Sequence, residues 1–243
     1  MKNKWLQFST IRLVLLCIVL LFLYSFTNQR NGQRKLKNVE VEFVGNEFLF
    51  ITHDSVHKLL IENHRVVTDY KKVQLDLKAL ENKITQHPFV QQSEIYLSID
   101  GQLYARIEQK KPIARVFSMG NIYYIDQNGI EMPISDSYSA RVPIFNGDYN
   151  SKTKAGVLKV LNAIDEDVFL TKQIVGVELL PNGNFKLRNR SFDFEVDFGK
   201  PINIARKFAN FKAFYQRAIK VESMQEYKKI NLRFTEQVVC TKI

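Results

Sequence analysis

The chain has 243 residues, 45% of them apolar, enough for one or two domains with real cores. Its formal net charge is +10, but residues 1–37 carry Lys2, Lys4, Arg12, Arg30, Arg34, Lys35 and Lys37 with no acid, leaving a body of 28 basic and 25 acidic residues. The basicity therefore flanks an apolar run, which argues against a nucleic-acid partner. The two cysteines, Cys17 in that run and Cys240 near the far end, make no disulfide framework and leave the redox compartment open.

Ser9 to Thr27 forms a window of 19 residues, apolar from Leu13 to Phe26 except for Ser25. As a helix it would be about 28 Å long, close to the thickness of bilayer hydrocarbon. Arg12 can snorkel, and Trp5 and Tyr24 suit the two interfacial belts. A cleaved signal peptide would need a shorter apolar core and small residues at a cleavage site; Ser25-x-Thr27 is a poor match, so a retained anchor is expected. Basic residues flank both ends, so charge alone does not orient it. Asn28 to Leu36 reads as a polar linker.

Val39, Val41 and Phe43 alternate on a first strand. Val56, Leu59, Leu60 and Asn63 follow at helical spacing, with Thr52 or Asp54 as cap. A second helix starts at Asp76, carries Leu77, Leu80 and Ile84 as its apolar stripe, and stops at His87-Pro88. Two strands, Val90 to Ile99 and Leu103 to Glu108, join across Asp100-Gly101. The order β-α-α-β-β is that of a compact α+β module.

From Pro112 onward the strand signals multiply. Ile122 to Ile125 and Glu131 to Ile134 flank Asn128-Gly129, a signal for a type I′ hairpin, and Asn182-Gly183 marks another between Ile174–Leu180 and Asn184–Leu187. A helix spans Ala155 to Ile164. Phe192, Phe194, Val196 and Phe198 alternate along a strand. The helix after Pro201 should bury Ile204, Phe208, Phe211, Tyr215 and Ile219 and expose Arg206, Lys207, Lys212 and Arg217. Gly101, Gly129 and Gly183 are the expected structural turn residues. Last, Ile230, Leu232, Phe234, Val238 and Cys240 share one parity, which predicts a half-buried strand running almost to Ile243. A strand in that position is expected at a sheet edge, where unpaired backbone groups can take up a partner strand. The partner-binding residues expected on it are Asn231, Leu232, Arg233, Phe234, Thr235, Glu236, Gln237 and Val238.

Catalytic patterns are not found. There is no Gly-x-Ser-x-Gly, no phosphate-cradling glycine loop and no Cys-x-x-Cys. His53 and His57 stand four apart but lack the glutamate of a His-Glu-x-x-His zinc site. Asp165-Glu166-Asp167 reads as a solvated charge run and Asp126 as a turn former. No catalytic residue, cofactor or metal is assigned, and the residues by themselves describe a binding or scaffolding protein outside the cytoplasm.

Several stretches together resemble the FtsQ/DivIB family of bacterial cell-division proteins. Leu103-Tyr104-Ala105-Arg106-Ile107-Glu108-Gln109-Lys110-Lys111-Pro112-Ile113-Ala114 is similar to the family's junction motif, with Ala105 in place of a frequent Val. Tyr124-Ile125-Asp126-Gln127-Asn128-Gly129 is similar to its Tyr-x-Asp-x-x-Gly hairpin. His87-Pro88-Phe89-Val90 matches a helix–strand junction. Ile230-Asn231-Leu232-Arg233-Phe234 is similar to its terminal strand, with Asn231 and Phe234 where Asp and Tyr are common. The resemblance implies a cytoplasmic tail (1–10), a transmembrane helix (11–27), a linker (28–37), a polypeptide-transport-associated (POTRA) module (38–111) and a β domain (112–243). It further implies a non-enzymatic, single-pass inner-membrane protein of the division septum, with its C-terminal domains outside the cytoplasm. The implied partners are FtsB and FtsL at the C-terminal strand, with FtsK, FtsW and FtsI in the wider assembly. The alternative is a POTRA protein of envelope assembly or export that handles extended chains.

Overall fold

The computed structural model of the protein describes residues 3–45, 50–61, 71–72 and 75–243, with side chains of the first helix from Thr10 onward. Lys2 and Asn63 lie outside the described residues, as do the side chains of Lys4 and Trp5. Helix α1 covers Asn3–Gly32. Within its Thr10–Gly32 stretch an 18-residue window has a mean hydropathy of 2.2 with none of it buried, so the helix is long and apolar enough to cross a bilayer. The expected linker is shorter than the composition suggests, because the helix continues through Asn28–Gly32. Nothing polar in Asn28-Gln29-Arg30-Asn31 breaks a helix, and α1 stops only at glycine.

The chain then forms two compact units, one up to Gln109 and one that starts at Lys110 and takes in Phe50. In the first, strands β1 (Asn38–Val44), β2 (Val90–Leu97) and β3 (Gln102–Gln109) make a sheet ordered β1-β3-β2, with β1 parallel and β2 antiparallel to β3. Helices α2 (His53–Leu60) and α3 (Leu77–Thr85) start at the expected caps. Thr52 Oγ1 accepts from Ser55 N at 3.2 Å and Asp76 Oδ1 from Ala79 N at 2.9 Å. Val56, Leu60 and Ile84 pack with Val39, Ile95, Leu103, Ala105 and Ile107 in one core. The period-two alternation of the strands sends Glu42, Glu94 and Arg106 to the other face, where they pair.

The second unit is a nine-stranded mixed sheet with helices in its crossovers. Its strands are β4 (Pro112–Ser118), β5 (Asn121–Asp126), β6 (Glu131–Met132), β7 (Ile144–Asn146), β8 (Ile174–Leu179), β9 (Phe185–Asn189), β10 (Glu195–Gly199), β11 (Tyr227–Asn231) and β12 (Val239–Lys242). Their spatial order is β12-β11-β10-β9-β8-β7-β4-β5-β6. The parallel pair β7–β8 requires a crossover, supplied by α4 (Lys154–Asp165) and α5 (Val168–Gln173); α6 (Ile204–Lys220) serves β10–β11 in the same way. Phe145, Val160, Phe198, Phe211 and Ile230 are fully buried in the core between sheet and helices.

Several sequence expectations change here. Asn128-Gly129 does form a hairpin, but only Gly129 has positive φ (+71°), whereas a type I′ turn needs both central residues there. Asp126 Oδ1 instead accepts from Asn128 N and Ile130 N, holding a three-residue loop with Gly129 as its left-handed position. A two-residue turn with both central φ positive lies at Met119-Gly120 (+49° and +80°), where an apolar residue hid it. Phe192 and Phe194 precede β10, because the Asn189 side chain accepts from Ser191 N and Phe192 N and delays the strand.

Two acids of the run are partnered, while Glu166 is exposed as expected. Asp165 pairs with Lys111 at 2.6 Å, and Asp167 caps α5 and pairs with Lys212, whose hydrogen bond holds its carboxyl below the usual range. On α6 the inside and outside assignments of Lys207 and Ile219 reverse. Lys207 is 1% exposed and Ile219 46%.

Gly129 and Gly183 separate conformation from crowding. Both have φ near +73°, but a Cβ at Gly129 would lie 2.5–2.8 Å from Lys154, Tyr149 and Leu158, while one at Gly183 meets only the far end of the Lys200 side chain, at 3.0 Å. Gly183→Ala should cost about 1 kcal/mol, the left-handed penalty alone. Gly129→Ala should cost about 2–3 kcal/mol, since overpacking adds to it. Urea unfolding midpoints of the two variants check this difference.

Candidate functional site

The candidate site is the C-terminal edge of the large sheet. α6 ends in a Schellman turn: Ser223 N donates to Ala218 O and Glu222 N to Ile219 O, with Glu222 in the left-handed region at φ +56°. That turn feeds the chain into β11. β11 pairs in parallel with β10, Val196 opposite Ile230 and Asp197 opposite Asn231, and Leu232 N continues the ladder to Asp197 O at 2.8 Å. Ile230 and Leu232 are buried, as their alternation requires.

The strand then stops. Asn231 Oδ1 accepts from Arg233 N at 2.9 Å, a local side-chain bond that competes with the ladder and bends the chain. Arg233 Nε donates to Asp197 Oδ1 at 2.9 Å, and Lys229 Nζ reaches Asp197 Oδ2 at 3.1 Å. Asp197 is 2% exposed. Burial pushes its carboxyl up, but the hydrogen bonds of Arg233 and Lys229 outweigh burial and leave its pKa lowered. Gly199 makes room for the clamp. A Cβ there would sit 2.8 Å from Arg233 Cγ.

Helix α6 holds the far side of the bend. Asn210 Nδ2 donates to Thr235 O at 2.8 Å, and Arg206 pairs with Glu236 at 2.6 Å. Beneath it, Lys207 Nζ donates to Phe198 O and Lys200 O, both at 2.8 Å, and lies 4.7 Å from the centre of the Phe198 ring. Burial lowers the Lys207 pKa.

The expected edge strand is therefore corrected. Of Asn231–Val238 only Asn231 lies in a strand; Leu232, Arg233, Phe234, Thr235, Glu236, Gln237 and Val238 form the connection of a β11–β12 hairpin. β12 returns antiparallel, Cys240 opposite Ile230 and Val239 opposite Asn231, and covers the outer side of β11. The open rim belongs to β12. Val238 and Cys240 turn inward against the core, and burial raises the Cys240 thiol pKa. Exposed apolar side chains gather along the rim: Phe234 at 50%, Val239 at 41% and Ile243 at 89%. Val239, Thr241, Lys242 and Ile243 escaped the sequence reading. The polar run Thr235-Glu236-Gln237 between two apolar stretches was the available sign of a turn.

Other sequence candidates scatter. His57 contacts Val39 O at 3.2 Å and His53 sits edge-on to Phe43, both within the smaller unit. Gly101, Gly129 and Gly183 all occupy turns at positive φ.

A family model described as "FtsQ/DivIB, C-terminal related" matches residues 111–241. The chain is 24% identical over 174 residues to the "Cell division protein FtsQ" of Salinibacter ruber, covering 65% of this chain and 66% of that relative. It is 23% identical over 181 residues to the "Cell division protein FtsQ" of Rhodothermus marinus, covering 68% and 65%. The matches thus span just under two thirds of each relative's length.

Asp197→Asn removes the anion between two cations and should cost about 2–3 kcal/mol, the range for hydrogen bonds to charged groups. The sign with pH follows from a folded pKa below the unfolded one. The contribution of Asp197 is complete at neutral pH and is lost as pH falls below about 5 through the carboxylate range. Urea midpoints of both proteins between pH 7 and pH 3 should converge at the acid end.

Proposed function

The chain belongs to the FtsQ/DivIB family of cell-division proteins, and on that footing we propose that it is a non-enzymatic, single-pass membrane scaffold of the divisome. Its partner strand adds to the rim of β12. The observation that carries this reading is an open edge strand bordered by exposed Phe234, Val239 and Ile243. Backbone groups along such a rim supply affinity, and alternate side chains supply register. Val239 is exposed on β12 while Ile230 and Leu232 stay buried, so an incoming apolar side chain can meet Val239 without disturbing the core.

The partner proposed for the rim is FtsB, together with FtsL, and FtsK, FtsW and FtsI belong to the wider assembly. In this reading α1 crosses the inner membrane with its N-terminal end in the cytoplasm, and residues 38–111 form a POTRA module followed by the β domain. The β-α-α-β-β order and the parallel β1–β3 pair support the POTRA assignment. The role of Arg233 shifts under this proposal. It braces the bend through Asp197 and presents Phe234, instead of meeting the partner first.

Val239→Asp places a carboxylate on the apolar rim and should weaken capture of an FtsB ectodomain at least tenfold, as for an interface hot spot of about 2 kcal/mol. Phe234→Ala should weaken it less. Titration of the full-length protein in nanodiscs measures both, and unchanged affinity for Val239→Asp would reject the β12 rim. In cells, an N-terminal fluorescent fusion should form a midcell band, depletion should give filaments, and the Val239→Asp variant should fail to restore division.

A further inference from the structure

The smaller unit carries an apolar residue where a turn normally carries polar ones. The β2–β3 hairpin tip is Ser98-Ile99-Asp100-Gly101, and Ile99 is 85% exposed. The tip is not a loose loop. Lys72 Nζ donates to Ser98 O at 2.9 Å and to Ile99 O at 2.8 Å, and Lys37 N donates to Gly101 O at 2.9 Å. Gly101 has φ +97°, and a Cβ there would lie 3.0 Å from Lys35 O, so the chain leaving α1 presses directly on the turn. The position of Ile99 is thereby fixed.

It is fixed beside the end of the apolar helix. Ile99 shares a cleft of about 460 Å³ with Tyr24, Phe26, Arg30 and Arg34, the level at which α1 changes from apolar to polar. Lys35 and Lys37 are exposed on the adjoining segment. The one acid on the tip, Asp100, is bound by Ser98, whose hydrogen bond holds its carboxyl below the usual range with help from Lys37 and Lys72. A rigid apolar point ringed by cations is the pattern of a segment that enters the headgroup layer of an anionic bilayer.

We propose that the β2–β3 tip is a second membrane contact, in which Ile99 enters the headgroup–acyl boundary while Arg30, Arg34, Lys35 and Lys37 meet the phosphates of anionic lipids. It rests on α1 spanning the bilayer and is independent of what binds β12. The contact gives the smaller unit two points of attachment, so its sheet cannot swing freely about the end of α1.

The test uses full-length protein with Cys17→Ala and Cys240→Ala, spin-labelled at Ile99→Cys, in phosphatidylglycerol–phosphatidylethanolamine nanodiscs. Collision rates with oxygen, which concentrates in lipid, are compared with those of a water-soluble nickel chelate. Labels at Leu20→Cys and Met119→Cys mark the span and the exposed surface. The Ile99 label should favour oxygen and be shielded from nickel. Lys35→Gln and Lys37→Gln should each lower the ratio of immersed to free tip about fivefold, the effect of one charge near an anionic surface. A label at 99 as open to nickel as that at 119, while the label at 20 stays immersed, overturns the tip contact and leaves the span intact. Immersion that is equal in phosphatidylcholine discs and unaffected by either glutamine overturns the lipid-phosphate assignment.

Discussion

Asp197 is an ionised carboxylate with almost no water around it, and such a group persists only when cations and hydrogen bonds replace its solvation. Lys229 comes from β11 and Arg233 from the bend after it, so one buried charge fixes the pairing of β10 with β11 and the place where β11 ends. Its own carbonyl takes Leu232 N, adding a backbone bond at the same point. The return of β12, and with it the identity of the open rim, follows from where that bend is made. Gly199 is part of the same arrangement, because only a missing Cβ lets Arg233 cross over β10.

Lys207 plays the complementary part on the other side of β10. A lysine on the apolar face of α6 is costly unless its ammonium finds acceptors, and here two carbonyls at the end of β10 and just beyond, with the Phe198 ring, provide them. Helix and sheet are thus joined by a polar link inside an aromatic core. Arg206 and Asn210, on the neighbouring outward positions, hold the β11–β12 connection. One helix therefore anchors β10 from below and the connection from above. Packing alone would not set the direction in which the last strand returns.

The two units solve different problems with the same alternation. Among its described residues the smaller unit has three strands and two short helices, and these were legible because caps, apolar stripes and turn glycines agreed with one another. Thr52, Asp76 and Gly101 did what their residue types dictate. In the larger unit the strands were visible, but side chains that bond to nearby backbone moved their ends. Asn189 delayed β10, Asp126 reshaped its hairpin, and Asn231 ended β11. Met119-Gly120 was missed for the opposite reason, since a methionine gives no sign of a left-handed backbone.

The sequence by itself determined the long apolar N-terminal helix, the β-α-α-β-β module, the strand-rich second unit and the inward parity of Ile230, Leu232 and Cys240. Those depend on composition and on periods of two and 3.6, which are local properties of a chain. Only the tertiary structure decided that Lys207 is inside, that the acids at 165 and 167 are paired, and that the rim is β12 instead of residues 231–238. Each of those depends on a partner in another element: Phe198 for Lys207, Lys111 and Lys212 for the acids, Asp197 for Arg233. An alternating pattern fixes which side chains face inward. It does not say where the strand bends, because the bend is set by a buried charge on another strand.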